Sequence, residues 1–100
     1  MSIIILYFIS ATFALTPGLY HPSNGNNDSI CPQEVRTVIT DNQLTALKVV
    51  YVGDCYYWGP FEYPCQESTC TDGNIFFEIT SKRSYRWLNT QYDIHADFTP

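Results

Sequence analysis

His95 is flanked at two-residue spacing by Asp93 and Asp97, which sets an imidazole between carboxylates on one face of an extended chain. Strand neighbours two apart sit about 6.6 Å from one another. That spacing permits a shared ion but suits an ordinary polar strand face better, so no metal and no cofactor are expected. Four cysteines, Cys31, Cys55, Cys65 and Cys70, lack the Cys-x-x-Cys spacing of a zinc site and read instead as two disulfides. Asn27-Asp28-Ser29 is an N-glycosylation sequon. Lys82, Arg83 and Arg86 stand together, as a solvated turn or as an anion-binding patch for a partner. Tyr56, Tyr57, Trp58, Phe61 and Tyr63 crowd one short stretch. These rings either fill a core short of aliphatic residues or form an exposed binding surface.

The elements that position these residues follow from periodicity. Val35, Val38 and Ile39 fall at helical spacing behind Pro32 and Glu34, so a short helix is expected over about Pro32 to Asp41. Leu44 to Val52 has the composition of a strand. Two aromatic strands are expected on either side of a turn at Gly59-Pro60. That hairpin would oppose Cys55 to Cys65 and leave Cys31 with Cys70. The pairing of Cys31 with Cys55 and Cys65 with Cys70 remains open. Strands are expected over Ile75 to Thr80 and Tyr85 to Leu88, joined by a turn at Lys82-Arg83-Ser84. In the last strand Tyr92, Ile94, Ala96 and Phe98 are expected to face one way, and Asp93, His95 and Asp97 the other. One helix packed on a curved antiparallel sheet of four to five strands is an α+β domain.

No Asp, Glu, Lys or Arg occurs before Asp28, and Ile3 to Ile9 is an uninterrupted apolar run followed by small residues. This order reads as a secretory signal over residues 1–14, cleaved after Ala14 or, as the second choice, after Gly18. The run is too short for a membrane span, which needs about 20 apolar residues. Residues 15–30, rich in Pro, Gly, Ser and Asn, read as a flexible N-terminal segment. Residues 31–100 form the domain. The formal charge of −5 disfavours nonspecific binding to phosphate backbones.

Gly59-Pro60-Phe61-Glu62-Tyr63-Pro64 resembles the strand of small secreted fungal ribonucleases that carries a catalytic Glu. With Glu34-Val35-Arg36 and the stretch Asn74 to Tyr85, the chain resembles the ribonuclease-like secreted effectors of powdery mildew fungi. The resemblance implies a microbial ribonuclease-like fold, secretion with delivery into host cells, and a role in virulence. It would make Glu62 the general base. It would also set Asn74 in the place of the phosphate-binding Arg, and Asn89 in the place of the acid His. An Asn supplies neither an acidic proton near neutral pH nor a full positive charge. Loss of a general acid typically costs about 10²–10⁴-fold, so the scaffold is expected to be catalytically inactive. The function expected is binding of a host protein, or of RNA, by a monomer that makes no membrane contact after signal cleavage. The alternatives are an active ribonuclease using Glu62 and His95, or an unrelated disulfide-stapled secreted binder or inhibitor.

Overall fold

The computed structural model describes residues 14–53 and 58–100. Eight strands run β1 (Gly18–Ser23), β2 (Gln33–Thr40), β3 (Gln43–Tyr51), β4 (Trp58–Gln66), β5 (Thr69–Thr71), β6 (Ile75–Ser81), β7 (Ser84–Asn89) and β8 (Ile94–Thr99). Each pairs antiparallel with its sequence neighbours, and β1 pairs with β8 to close a barrel. The architecture is therefore all-β, and no helix occurs among the described residues. This corrects the expected α+β fold with a helix on a four- to five-stranded, ribonuclease-like sheet.

The residues expected as a helix form β2, for a local reason. Val35, Thr37, Val38, Ile39 and Thr40 are β-branched, stiff at χ1 and better accommodated on a pleated surface. Gln33 and Val35 are buried while Arg36 is exposed, the alternation of a half-buried strand. A register shift between Val38 and Ile39 opposite β3 breaks the period of two. That irregularity is what makes Val35, Val38 and Ile39 look helical in sequence.

The turn expected at Gly59-Pro60 is also absent, because β4 runs straight through a cis Gly59–Pro60 bond. A Cβ at Gly59 would stand 2.7 Å from the Val49 carbonyl oxygen, so only glycine allows β4 this close to β3. The chain turns instead at Glu67-Ser68, which places Cys65 opposite Cys70. These two form a disulfide, and no described cysteine is free. The pairing of Cys55 with Cys65 is thereby excluded. Cys31 is also disulfide-bonded, and Cys55 lies outside the described residues. Pro60 and Pro64 have no N–H to offer, and β4 meets β5 only at Cys65 and Gln66.

The segment expected to be loose supplies β1. Its first half, Gly18 to Tyr20, pairs with β2, and its second half, His21 to Ser23, pairs with β8. Ahead of it Leu15 is 1% exposed within the core. Thr16 N donates to Lys82 O at 2.7 Å, and the Tyr20 hydroxyl donates to Thr16 O.

The barrel interior is filled by side chains. Tyr20, Val35, Leu47, Val49, Phe77, Tyr85 and Phe98 are fully buried. Tyr85 stacks on Phe98 with ring centroids 5.1 Å apart, and Tyr63, Phe77 and Tyr20 extend the cluster at 4.8–5.3 Å. Such pairs contribute about 0.5–1.5 kcal/mol each beyond the area they bury. Gln33 is the one buried polar residue among those described. Its Oε1 accepts a 2.6 Å bond from the Tyr85 hydroxyl. The outward positions carry Arg36, Lys48, Glu62, Glu78, Arg86 and Asp97. This apolar-in, charged-out pattern is the inverse of a lipid-facing barrel.

Candidate functional site

The two ends of the barrel are built differently. At one end β2–β3, β4–β5 and β6–β7 are joined by two-residue turns, Asp41-Asn42, Glu67-Ser68 and Lys82-Arg83. Asp41, Asn42 and Glu67 adopt positive φ, which such tight connections require and Asn and Asp tolerate. At the other end every connection is longer: residues 24–32, 72–74 and 90–93, and the stretch between β3 and β4, of which 54–57 lie outside the described residues. Loops carried on a rigid scaffold are where binding residues concentrate, and the loop end is the candidate site.

Aromatic residues meet there. Phe61 is inward in register, opposite Val49, yet it stands near the mouth and is 42% exposed. It makes an edge contact with Tyr51 at 5.9 Å, and Tyr51 in turn makes one with Trp87 at 6.5 Å. The Tyr51 and Tyr63 hydroxyls bond to each other at 2.8 Å. Tyr92, on the 90–93 loop, is 65% exposed. Burial, above all, pushes the Tyr51 and Tyr63 hydroxyls above the usual tyrosine range. The Asp72 carboxylate adds to both shifts, and its Oδ1 accepts from Asn74 N and Ile75 N at 3.1 and 3.0 Å.

The electrostatics of this end are one-sided. Exposed Asp28, Asp72 and Asp93 lie on three of its four loops. Among the described residues no Lys or Arg joins them, because Arg36, Lys48 and Arg86 lie mid-strand and Lys82 and Arg83 lie at the turn end. A cluster of rings rimmed by carboxylates attracts cations through both the ring faces and the charges.

The residues singled out by the sequence are spread over the molecule. Glu62 is exposed on the outer face of β4, directly opposite Lys48. His95 lies on β8, opposite Leu88, and its backbone N and O are bonded to Asn26. In a closed eight-stranded order β4 and β8 are diametrically opposed, so no single phosphodiester touches both outward side chains. Asn74 and Asn89 do share the loop end. Thr90 bonds to the Asn74 carbonyl through both N and Oγ1, at 2.9 and 3.0 Å. Asn89 Oδ1 accepts from Gln91 N at 3.1 Å, so this side chain serves its own turn.

Arg86 pairs with Asp97 at 3.3 Å, both side chains a little under half exposed. Lys82 and Arg83 form an exposed turn on the far side from the aromatic mouth. Asp93 precedes β8 with positive φ, out of line with His95 and Asp97, and no metal-binding group of carboxylate, imidazole and thiol side chains occurs among the described residues. Of the aromatic run, Phe61 reaches the surface and Tyr63 is buried. Tyr56 and Tyr57, and the side chain of Trp58, lie outside the described residues.

Tyr51 and Asp72 belong to the loop end without having been singled out in sequence, while Tyr92 and Asp93, expected to begin the last strand, lie on the 90–93 loop ahead of β8. The signal that would find them is the spacing of strands, which leaves long connections at one end only. No protein-family model matches the chain, and no match was found among curated proteins or solved structures.

Proposed function

We propose that the chain is a secreted, noncatalytic binding module that holds a basic protein partner at its loop end. The observation that carries this reading is the coincidence of exposed rings, carboxylates and the longer connections at one end of a filled, disulfide-stapled barrel. A filled interior leaves the outer surface to do the binding. Rings at the centre of a contact, ringed by complementary charge, are the usual anchors of such a surface. RNA is the less suitable partner, because the loop end repels phosphate.

The test is affinity capture by the processed protein from the fluid into which it is released, followed by titration of the captured partner. Phe61→Ala is expected to weaken binding at least tenfold. Asp72→Asn is expected to weaken it less and to flatten its dependence on salt. Lys82→Ala with Arg83→Ala is expected to leave binding unchanged. RNA turnover by the purified protein, abolished by Glu62→Gln, would overturn the reading.

A further inference from the structure

Residues 24–29, between β1 and β2, are exposed yet firmly docked. Asn26 N donates to His95 O at 3.1 Å, His95 N donates to Asn26 Oδ1 at 3.0 Å, and Asn26 Nδ2 donates to Asp93 O at 2.9 Å. A Cβ on Gly25 would come within 2.8 Å of both Ala96 Cβ and His95 O, so the backbone here lies directly on β8. The next residue, Asn27, is exposed. Its Oδ1 accepts from Ser29 N at 2.7 Å, and among the described residues its Nδ2 donates to nothing. Asn27-Asp28-Ser29 is the one Asn-x-Ser/Thr sequence in the chain, with Asp rather than Pro in the middle.

We propose that Asn27 is an N-glycosylation acceptor, presented to solvent by the Asn26 clamp on β8. The donor class is an oligosaccharide carried on a lipid diphosphate. Asn27 Nδ2 forms the bond to the anomeric carbon of the first sugar, and the bond from that carbon to the phosphate oxygen breaks. The lipid diphosphate leaves with the bonding electron pair, and one amide proton passes to a base of the transferase. The product retains Asn27 Oδ1, so the 2.7 Å bond to Ser29 N survives. Asn26, which carries the anchoring bonds, is a separate side chain and is untouched. A glycan at this position is therefore compatible with the closed barrel, and it stands at the rim of the loop end.

The proposal rests on the secreted reading given above, because the donor is met only on the export route. The experiment expresses the full chain in eukaryotic cells and follows both its location and its mass. The expected result is exported protein with a discrete mass increase, removed by an enzyme that releases N-linked glycans. Asn27→Gln and Ser29→Ala should each abolish the increase, while Ser29→Thr should retain it. A thermal melt of Asn27→Gln superimposable on that of the deglycosylated protein shows that the variant is folded. Export of a protein without a glycan overturns the proposal alone. Retention in the cytosol overturns the secreted reading and the proposal with it.

Discussion

Gln33 and Tyr85 show how the interior combines polar and aromatic groups. The Tyr85 hydroxyl gives its proton to Gln33 Oε1 at 2.6 Å, while Gln33 Nε2 is buried without a partner. Removing one member of a buried pair leaves the other unsatisfied, at about 1–3 kcal/mol, whereas removing both costs much less. Tyr85→Phe and Gln33→Met are each expected to destabilise by about that amount. The double variant should cost less than the sum by about 1 kcal/mol or more. Denaturant titration of the four proteins measures the coupling, and additive losses would show that the bond contributes nothing. The identity of these residues is readable from sequence; their meeting is not. They lie 52 positions apart, on strands whose contact exists only once the barrel closes.

At the scale of elements, the later strands were legible because alternation there is clean. Phe77 and Ile79, Tyr85 and Trp87, and Ala96 and Phe98 all point inward at a period of two. The earlier elements were obscured by local irregularities. The register shift at Val38/Ile39 imitates a helix, and Gly59-Pro60 imitates a turn while lying inside a strand. Residues 15–30 look soluble because β1 contributes few residues to the core, chiefly Tyr20 with Leu15 ahead of it. Leu15 also distinguishes the two cleavage positions. Cleavage after Gly18 would delete a side chain that is 1% exposed, together with the Thr16 bonds to Lys82 and Tyr20. On the secreted reading proposed above, the mature N-terminus is expected at Leu15, which N-terminal sequencing of released protein checks. A chain beginning at Leu19 should be less stable by about 2–5 kcal/mol, the usual cost of emptying a buried leucine site. The Cys65–Cys70 bond closes a short loop. Replacing both cysteines by Ala should lower stability by about 2 kcal/mol in the chain-entropy model, measured by thermal or denaturant melts.

At the scale of the whole molecule, the interior is a store of neutral phenols. Burial, foremost, raises Tyr51, Tyr63 and Tyr85 above the ordinary value of 10.0. The unfolded chain therefore releases protons more readily than the folded one. Stability tied to these groups is fully present below about pH 10 and falls as pH rises beyond it. Tyrosinate absorbance and far-ultraviolet dichroism, followed together in an alkaline titration, should report one cooperative event for the buried rings. Ionisation of all the tyrosines before any loss of strand signal would contradict this picture.

Closure between the first and last strands has a consequence for biogenesis. Ser23 is paired with Asp97 and Pro22 with Phe98, so β1 is made before the other seven strands and waits for all of them before its second edge is covered. Contacts of such long sequence separation form slowly, and an unpaired strand edge is a template for pairing with other chains. Until β8 is made, the growing polypeptide carries an open seam that only residues 94–99 can close. Loss of the final strand should therefore produce an adhesive intermediate rather than a slightly weaker barrel.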